Sequence, residues 1–321
     1  MRILTGIQPS GKLHWGNYFG AMKPIIDLQT QGETFVFVAQ YHALTTVHDA
    51  QALKAASWDV ALDFLACGLD PEKACLFLQG DVPELHELAW LLSVVTPMGL
   101  LERCHSYKDK MARGIAASHG LFAYPVLMAA DILAYQSDLV PVGRDQKQHV
   151  EVTRDLAAKF NQAFGQEVFR LPEPMIAEAV AVIPGLDGQK MSKSYHNTIG
   201  LFEEPKEVKA KIMRIATDST PLEAPKDPDA CRVFALYKLF ASPEEVEEMR
   251  ANYLRGGYGY GHAKKALFEI YKRTFGPFRE KRAYLEAHPD EVRAVLDQGA
   301  QRARAVARQT LQAARAAVGL D

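Results

Sequence analysis

Two lysines and two hydroxyls stand within five residues at Lys190-Met191-Ser192-Lys193-Ser194. Ammonium groups set that close suit a polyphosphate, because they offset charge that builds on a departing pyrophosphate while hydroxyls add hydrogen bonds. A solvated basic loop would carry the same residues, so context has to decide. A second group lies far earlier, where Gly6-Ile7-Gln8-Pro9-Ser10-Gly11 runs on into Lys12-Leu13-His14-Trp15-Gly16-Asn17. Free backbone N–H groups at a helix start there would meet a phosphate. A tight turn capping a helix is the plainer alternative. The third feature is Asp131, the one acid inside the apolar run 121–136. A buried carboxylate is costly without a partner. Either it pairs within the core, or it serves as a lone acceptor beside Tyr124, Met128 and Tyr135, fit for a flat apolar ligand with one N–H.

The elements that must position these groups follow from periodicity. Arg2-Ile3-Leu4-Thr5 reads as a strand, Pro9-Ser10-Gly11 as a turn, and Tyr18, Met22, Ile25 and Leu28 as one face of a helix. Further β runs are predicted at 34–39, 74–78, 140–143 and 179–183, with helices over 49–66, 83–101 and 121–136 between them. Alternation of this kind predicts an α/β fold, a Rossmann-like doubly wound parallel sheet with helices on both faces. Polar residues then gather at strand ends: Gln40-Tyr41-His42 after the second run, and Arg144-Asp145-Gln146-Lys147-Gln148-His149 after Val140-Pro141-Val142-Gly143. Open α/β sheets bind ligands at such carboxyl ends. Beyond about residue 200 no β run survives; segments near 205–216, 231–241, 243–254, 262–287 and 290–318 read as helices. The expected division is a catalytic domain over 1–200 and an all-helical C-terminal domain over 201–321, its last helix either free or packed back on the first.

Bulk composition excludes some classes. Net charge is −2, which argues against a constitutively basic nucleic-acid binder, yet residues 261–321 carry 12 Lys and Arg against 7 Asp and Glu. A basic end of that kind could face a phosphate backbone or be a solvated helix face. Arg302, Arg304, Arg308 and Arg315 are the candidates by charge. Four cysteines without zinc-like spacing read as reduced, buried thiols of a cytoplasmic protein. No run is long enough to span a membrane, and no signal-peptide profile opens the chain.

Taken in order, these motifs resemble a known family. His14-Trp15-Gly16-Asn17 is similar to the first signature of class I aminoacyl-tRNA synthetases, and Lys190 to Ser194 matches their second. Leu127-Met128-Ala129-Ala130-Asp131-Ile132-Leu133 and the segment Val140 to His149 resemble the bacterial tryptophanyl-tRNA synthetases. The resemblance implies ATP-dependent activation of L-tryptophan and its transfer to tRNA(Trp), with Mg2+ entering alongside ATP; the cysteine spacing gives no expectation of zinc, and with only Cys231 in the relevant region no iron–sulfur cluster, which some relatives carry, is expected. It gives Gln8, Pro9, Ser10, Gly16, Asn17, Gly143, Arg144, Asp145, Val182 and Lys190-Met191-Ser192-Lys193-Ser194 to ATP. Lys190, Lys193, Lys110 and Gln8 would serve catalysis. Asp131 would accept the indole N–H, with Met128, Val140 and Val142 lining the ring. Gln146 and Tyr124 would hold the α-amino group, and His42 would complete the pocket. A homodimer is implied, and the apolar stretch 84–101 agrees with one.

The sequence departs from the family pattern at three places. Arg144 stands where an acid is usual, Gln40-Tyr41-His42 replaces Asp-Gln-His, and Tyr195-His196 follows the lysine motif where Asp-Pro or Asp-Asp is common. Two other readings stay open at this point: a tyrosyl-tRNA synthetase, and a synthetase-like binding protein without turnover.

Overall fold

The computed structural model describes residues 1–9, 11–104, 107–108, 118–143, 146–176 and 183–320. By packing, the chain divides into two compact units. The first comprises residues 1–11, 25–178 and 288–321; the second comprises 12–24 and 179–287.

The first unit is built on a five-stranded parallel sheet, in the order β3 (Ala74–Leu78), β2 (Glu33–Val38), β1 (Arg2–Ile7), β4 (Leu139–Val142), β5 (Glu173–Ile176). β1 and β2 run in register from Arg2↔Glu33 to Ile7↔Val38, and β2 and β3 from Thr34↔Ala74 to Val38↔Leu78. Thr34 to Val38 are all buried, as befits a central strand covered on both faces. Strand order reverses between β1 and β4. The chain ends of those two strands, Gln8-Pro9 and Gly143, therefore stand at the switch point where such sheets bind ligands.

One strand, β5, is not announced by periodicity. The expected last β run, 179–183, lies outside the described residues except for Ile183, and the strand that closes the sheet is β5. Pro174 within it and its half-exposed pattern hide it from periodicity, and both suit an edge position. The predicted helix over 83–101 is two helices, Glu84–Ser93 and Met98–Glu102, broken before Pro97. The residue before a proline is steered out of the helical region, so the break falls there.

The last helix, Pro289–Val318, packs against β3. A Cβ on Gly299 would lie 1.8 Å from the Leu76 carbonyl oxygen, so only glycine permits this approach. The four basic candidates of this helix are all engaged within the unit. Arg302 donates to the Pro71 carbonyl at 3.2 Å, and Arg304 and Arg308 reach Glu84 at 3.1 and 2.7 Å. Arg315 pairs with Glu87. Charge in sequence did not distinguish these tethers from a phosphate-facing row. All four cysteines are buried thiols.

The second unit is helical: Pro205–Met213, Arg232–Tyr237, Pro243–Arg255 and Tyr260–Ala287. Its core is aromatic. Trp15 is fully buried and meets Phe240 edge-on at 4.9 Å and Tyr271 at 5.4 Å, while Tyr18 meets Phe275 at 5.1 Å. Such pairs add about 0.5–1.5 kcal/mol each beyond area burial. The segment carrying His14 is thus fixed by its neighbour Trp15. Gly256 and Gly257 take φ of 79° and 74° between two helices, a conformation other residues resist.

Candidate active site

In the first unit the sheet's carboxyl edge and the helix His119–Leu133 assemble a polar network inside an apolar wall. Asp131, 1% exposed, points from that helix. His42 Nε2 donates to its Oδ2 at 2.7 Å, and Gln79 Nε2 donates to Oδ1 and Oδ2 at 2.8 and 2.9 Å. The carboxylate is therefore held by partners, which offsets what its burial would otherwise cost. Gln8 Nε2 donates to the His42 carbonyl at 3.3 Å. Tyr124 reaches His149 Nε2 with its hydroxyl at 2.7 Å, and its ring lies edge-on to His42 at 6.1 Å. Met128, Val140 and Val142 belong to the same hydrophobic cluster. Gln146 caps the helix Lys147–Phe164, its N–H on the Gly143 carbonyl at 3.0 Å. The structure brings Asp131, His42 and Gln8 into one hydrogen-bonded chain. It also places Tyr124 beside His42. Pro9 is buried at the end of β1, and Gly143 is exposed at the end of β4.

The second unit joins the two signature segments. His14 and Gly200 form an antiparallel bridge, and Trp15 N–H donates to the Ile199 carbonyl at 3.0 Å. Gly16 N–H donates to Met191 Sδ at 3.3 Å, and Met191 is buried, so the middle of the lysine motif is pinned to the start of the early helix. A Cβ on Gly16 would stand 2.9 Å from the His14 imidazole, which explains the glycine. Asn17 Oδ1 accepts from the His14 N–H at 3.1 Å. His14 is buried, its Nδ1 has no hydrogen-bond partner, and burial, helped by the Lys193 charge, lowers its pKa to about 4. It is a neutral imidazole at pH 7.

Asn197 organises the loop. Its Oδ1 accepts from Ser192 N–H at 2.8 Å, and its Nδ2 donates to Asp187 at 2.8 Å and to the Lys190 carbonyl at 3.1 Å. A Cβ on Gly185 would strike it at 2.2 Å. Lys190, Lys193 and Ser194 are left exposed on this frame, and partial burial lowers the Lys193 pKa below its ordinary value. Tyr195 is exposed and His196 takes φ of 52°, a left-handed conformation that histidine tolerates better than most residues.

Ser10, Lys110, Arg144, Asp145 and Val182 lie outside the described residues. Sequence reasoning missed Gln79, His149 and Asn197 as site residues. Gln79 had a signal: it is the first polar residue after the apolar β3 of a parallel sheet. Asn197 had none, since its role arises from loop contacts alone.

The sheet topology and its polar switch-point edge are those of a Rossmann-like α/β ligand-binding fold. Residues 1–276 match the family model described as tRNA synthetases class I (W and Y). A tryptophan--tRNA ligase of Rhodopirellula baltica is 57% identical over 295 residues, covering 92% of each chain, and one of Fusobacterium nucleatum is 56% identical over 294, covering 92% of this chain and 90% of that one. A tryptophanyl-tRNA synthetase of Campylobacter jejuni, solved with ADP and tryptophan, superposes with a TM-score of 0.93 at 51% identity over the whole of both chains. The chain belongs to this class I family, in its bacterial tryptophanyl-tRNA synthetase branch.

Proposed function

We infer that the chain activates L-tryptophan with ATP and transfers it to tRNA(Trp). The tryptophan carboxylate attacks the α-phosphate of Mg-ATP in line, pyrophosphate leaves, and tryptophanyl-adenylate forms. A ribose hydroxyl of the terminal adenosine of the tRNA then takes the acyl group and AMP leaves. No side chain acts as a covalent nucleophile, so rate comes from positioning and from charge stabilisation. The observation that supports the tryptophan assignment is the buried Asp131 carboxylate, held by His42 and Gln79 on an apolar helix.

Asp131 accepts the indole N–H in this reading, and Gln146 and Tyr124 hold the α-amino group. Gln8, Pro9, Ser10, Gly16, Asn17, Gly143, Arg144, Asp145, Val182 and Lys190 to Ser194 take ATP. Lys190, Lys193 and Lys110 supply positive charge to the phosphates, and Mg2+ arrives as part of the ATP substrate. The neutral His14 serves as an N–H donor rather than a cation. Helices of residues 201–287 hold the tRNA anticodon, and the protein works in the cytoplasm; no helix among the described residues is long and apolar enough to cross a membrane. A homodimer is supported by Trp90, Val94 and Met98, three large apolar side chains at least 60% exposed and four residues apart in sequence.

ATP–pyrophosphate exchange with tryptophan and with tyrosine tests the reading. Exchange with tryptophan alone is expected. A preference for tyrosine would assign the other amino acid, and no exchange with either would leave a binding protein. Asp131→Ala is expected to abolish most of the preference.

A further inference from the structure

We infer that Gln79 is a specificity-determining positioning residue that holds Asp131 as a pure hydrogen-bond acceptor. The inference rests on the reading of Asp131 as the group that meets the indole N–H. Gln79 is fully buried in the turn Gln79–Asp81 that follows β3. Its amide has one acceptor and one donor end. The acceptor end is committed, because Oε1 takes the Tyr41 N–H at 2.9 Å. That leaves Nε2 no choice but to face Asp131, where it bridges both carboxylate oxygens at 2.8 and 2.9 Å.

The Tyr41 side of this arrangement is secured in turn. Gln40 Oε1 takes the Gly80 N–H at 3.1 Å, while its Nε2 donates to Ser57 Oγ at 3.3 Å. Each glutamine therefore accepts the backbone N–H of the residue that follows the other. This crossed pair stitches the turn after β2 to the turn after β3, and a Cβ on Gly80 would sit 2.9 Å from Gln40 Oε1. His42, one residue past the stitch, is the second donor to Asp131 and adds the third hydrogen bond at 2.7 Å. The glutamine at position 40, one of the departures from the family pattern, is thus half of the device.

The consequence is polarity. Both hydrogen-bond partners of Asp131 donate to it and neither accepts from it. A carboxylate offers about four lone-pair directions. Oδ2 uses two of them, and Oδ1 uses one and keeps one for a ligand N–H. A ligand of the same shape without an N–H leaves that buried oxygen unmet, the condition under which discrimination reaches roughly 10⁴–10⁵. Losing Gln79 removes two of the three hydrogen bonds that fix the carboxylate and lets it rotate, so that its free oxygen direction no longer stays aimed at the ligand N–H.

The test compares exchange rates for L-tryptophan and for its sulfur isostere, 3-benzothienylalanine, in the full-length wild type and Gln79→Met. Methionine keeps the volume and removes both amide ends. The expected result is that preference for tryptophan falls about ten- to hundredfold, the size of a lost hydrogen bond to a charged group, while the ATP KM stays put. Gln79→Asn, one methylene short of the carboxylate, is expected to show the same fall and serves if Gln79→Met does not fold. Equal losses for both amino acids with the preference intact would overturn the inference and leave Gln79 a structural residue. A wild type that does not activate tryptophan at all would instead overturn the proposed function.

Discussion

His14 sets up a stability change with pH that can be worked out in full. In the unfolded chain its imidazole titrates at its ordinary value of 6.5, and in the folded protein burial, with the Lys193 charge, brings it down to about 4. Protonation therefore favours the unfolded chain. Stability from this residue is complete above 6.5 and is lost as pH falls towards 4, below which the loss levels off. At about 1.4 kcal/mol per pH unit, the loss is about 2 kcal/mol by pH 5 and about 3 kcal/mol by pH 4. His14→Gln removes the titration while keeping a neutral polar side chain. Urea unfolding of both proteins at pH 7.5 and pH 5 isolates the effect, because every other group cancels in the difference. The variant is expected to gain about 2 kcal/mol on the wild type between those two conditions. A difference that does not change with pH would mean that His14 titrates like a solvated histidine and that its site is open to water.

Three further outcomes follow from the same geometry. Lys193→Ala is expected to slow adenylate formation by about 10²–10³ while changing the tryptophan Kd, read by calorimetry, far less, since its charge is needed only as pyrophosphate departs; equal losses would remove it from the reaction. Gly16→Ala pushes a Cβ to 2.9 Å from the buried His14 ring, and should lower kcat/KM for ATP about ten- to hundredfold while costing about 1–3 kcal/mol of stability in urea unfolding. Arg304→Ala with Arg308→Ala strips Glu84 of both cations and, because the arginines are partly solvated, is expected to cost about 1 kcal/mol of stability, with tRNA affinity of the folded protein unaltered in filter binding.

What the sequence showed and what it hid divide along physical lines. β1, β2, β3 and the helix 119–133 were legible because a sheet covered on both faces needs unbroken apolar runs, and Ala74–Leu78 appears to the residue. β5 was not, because an edge strand may carry Pro174 and exposed side chains without penalty. Asp131 stood out as a lone acid in an apolar helix, but its partners lie 89 and 52 residues away in sequence, so periodicity could not name them. Arg304 and Arg308 illustrate the opposite failure: a basic row was visible, and only the fold shows that Glu84 faces it.

The two halves of the chemistry rest on supports of different stiffness, and the physics of each explains why. In the proposed function, recognition through one N–H fails with a displacement of an ångström, which agrees with Asp131 being buried on a helix and its donors sitting on turns stitched by Gln40 and Gln79. Stabilising a leaving pyrophosphate relies on charge, whose effect falls off only as the inverse of distance. In the same proposal Lys190 and Lys193 ride on an exposed loop fastened at two points, Met191 and Asn197. The same difference accounts for where the sequence departs from its family without a compensating device. Tyr195 and His196 lie exposed in the stretch between the two fastenings, whereas the change at position 40 falls in the half held by Asp131, and there the glutamine side chain has a hydrogen bond to Gly80 and another to Ser57.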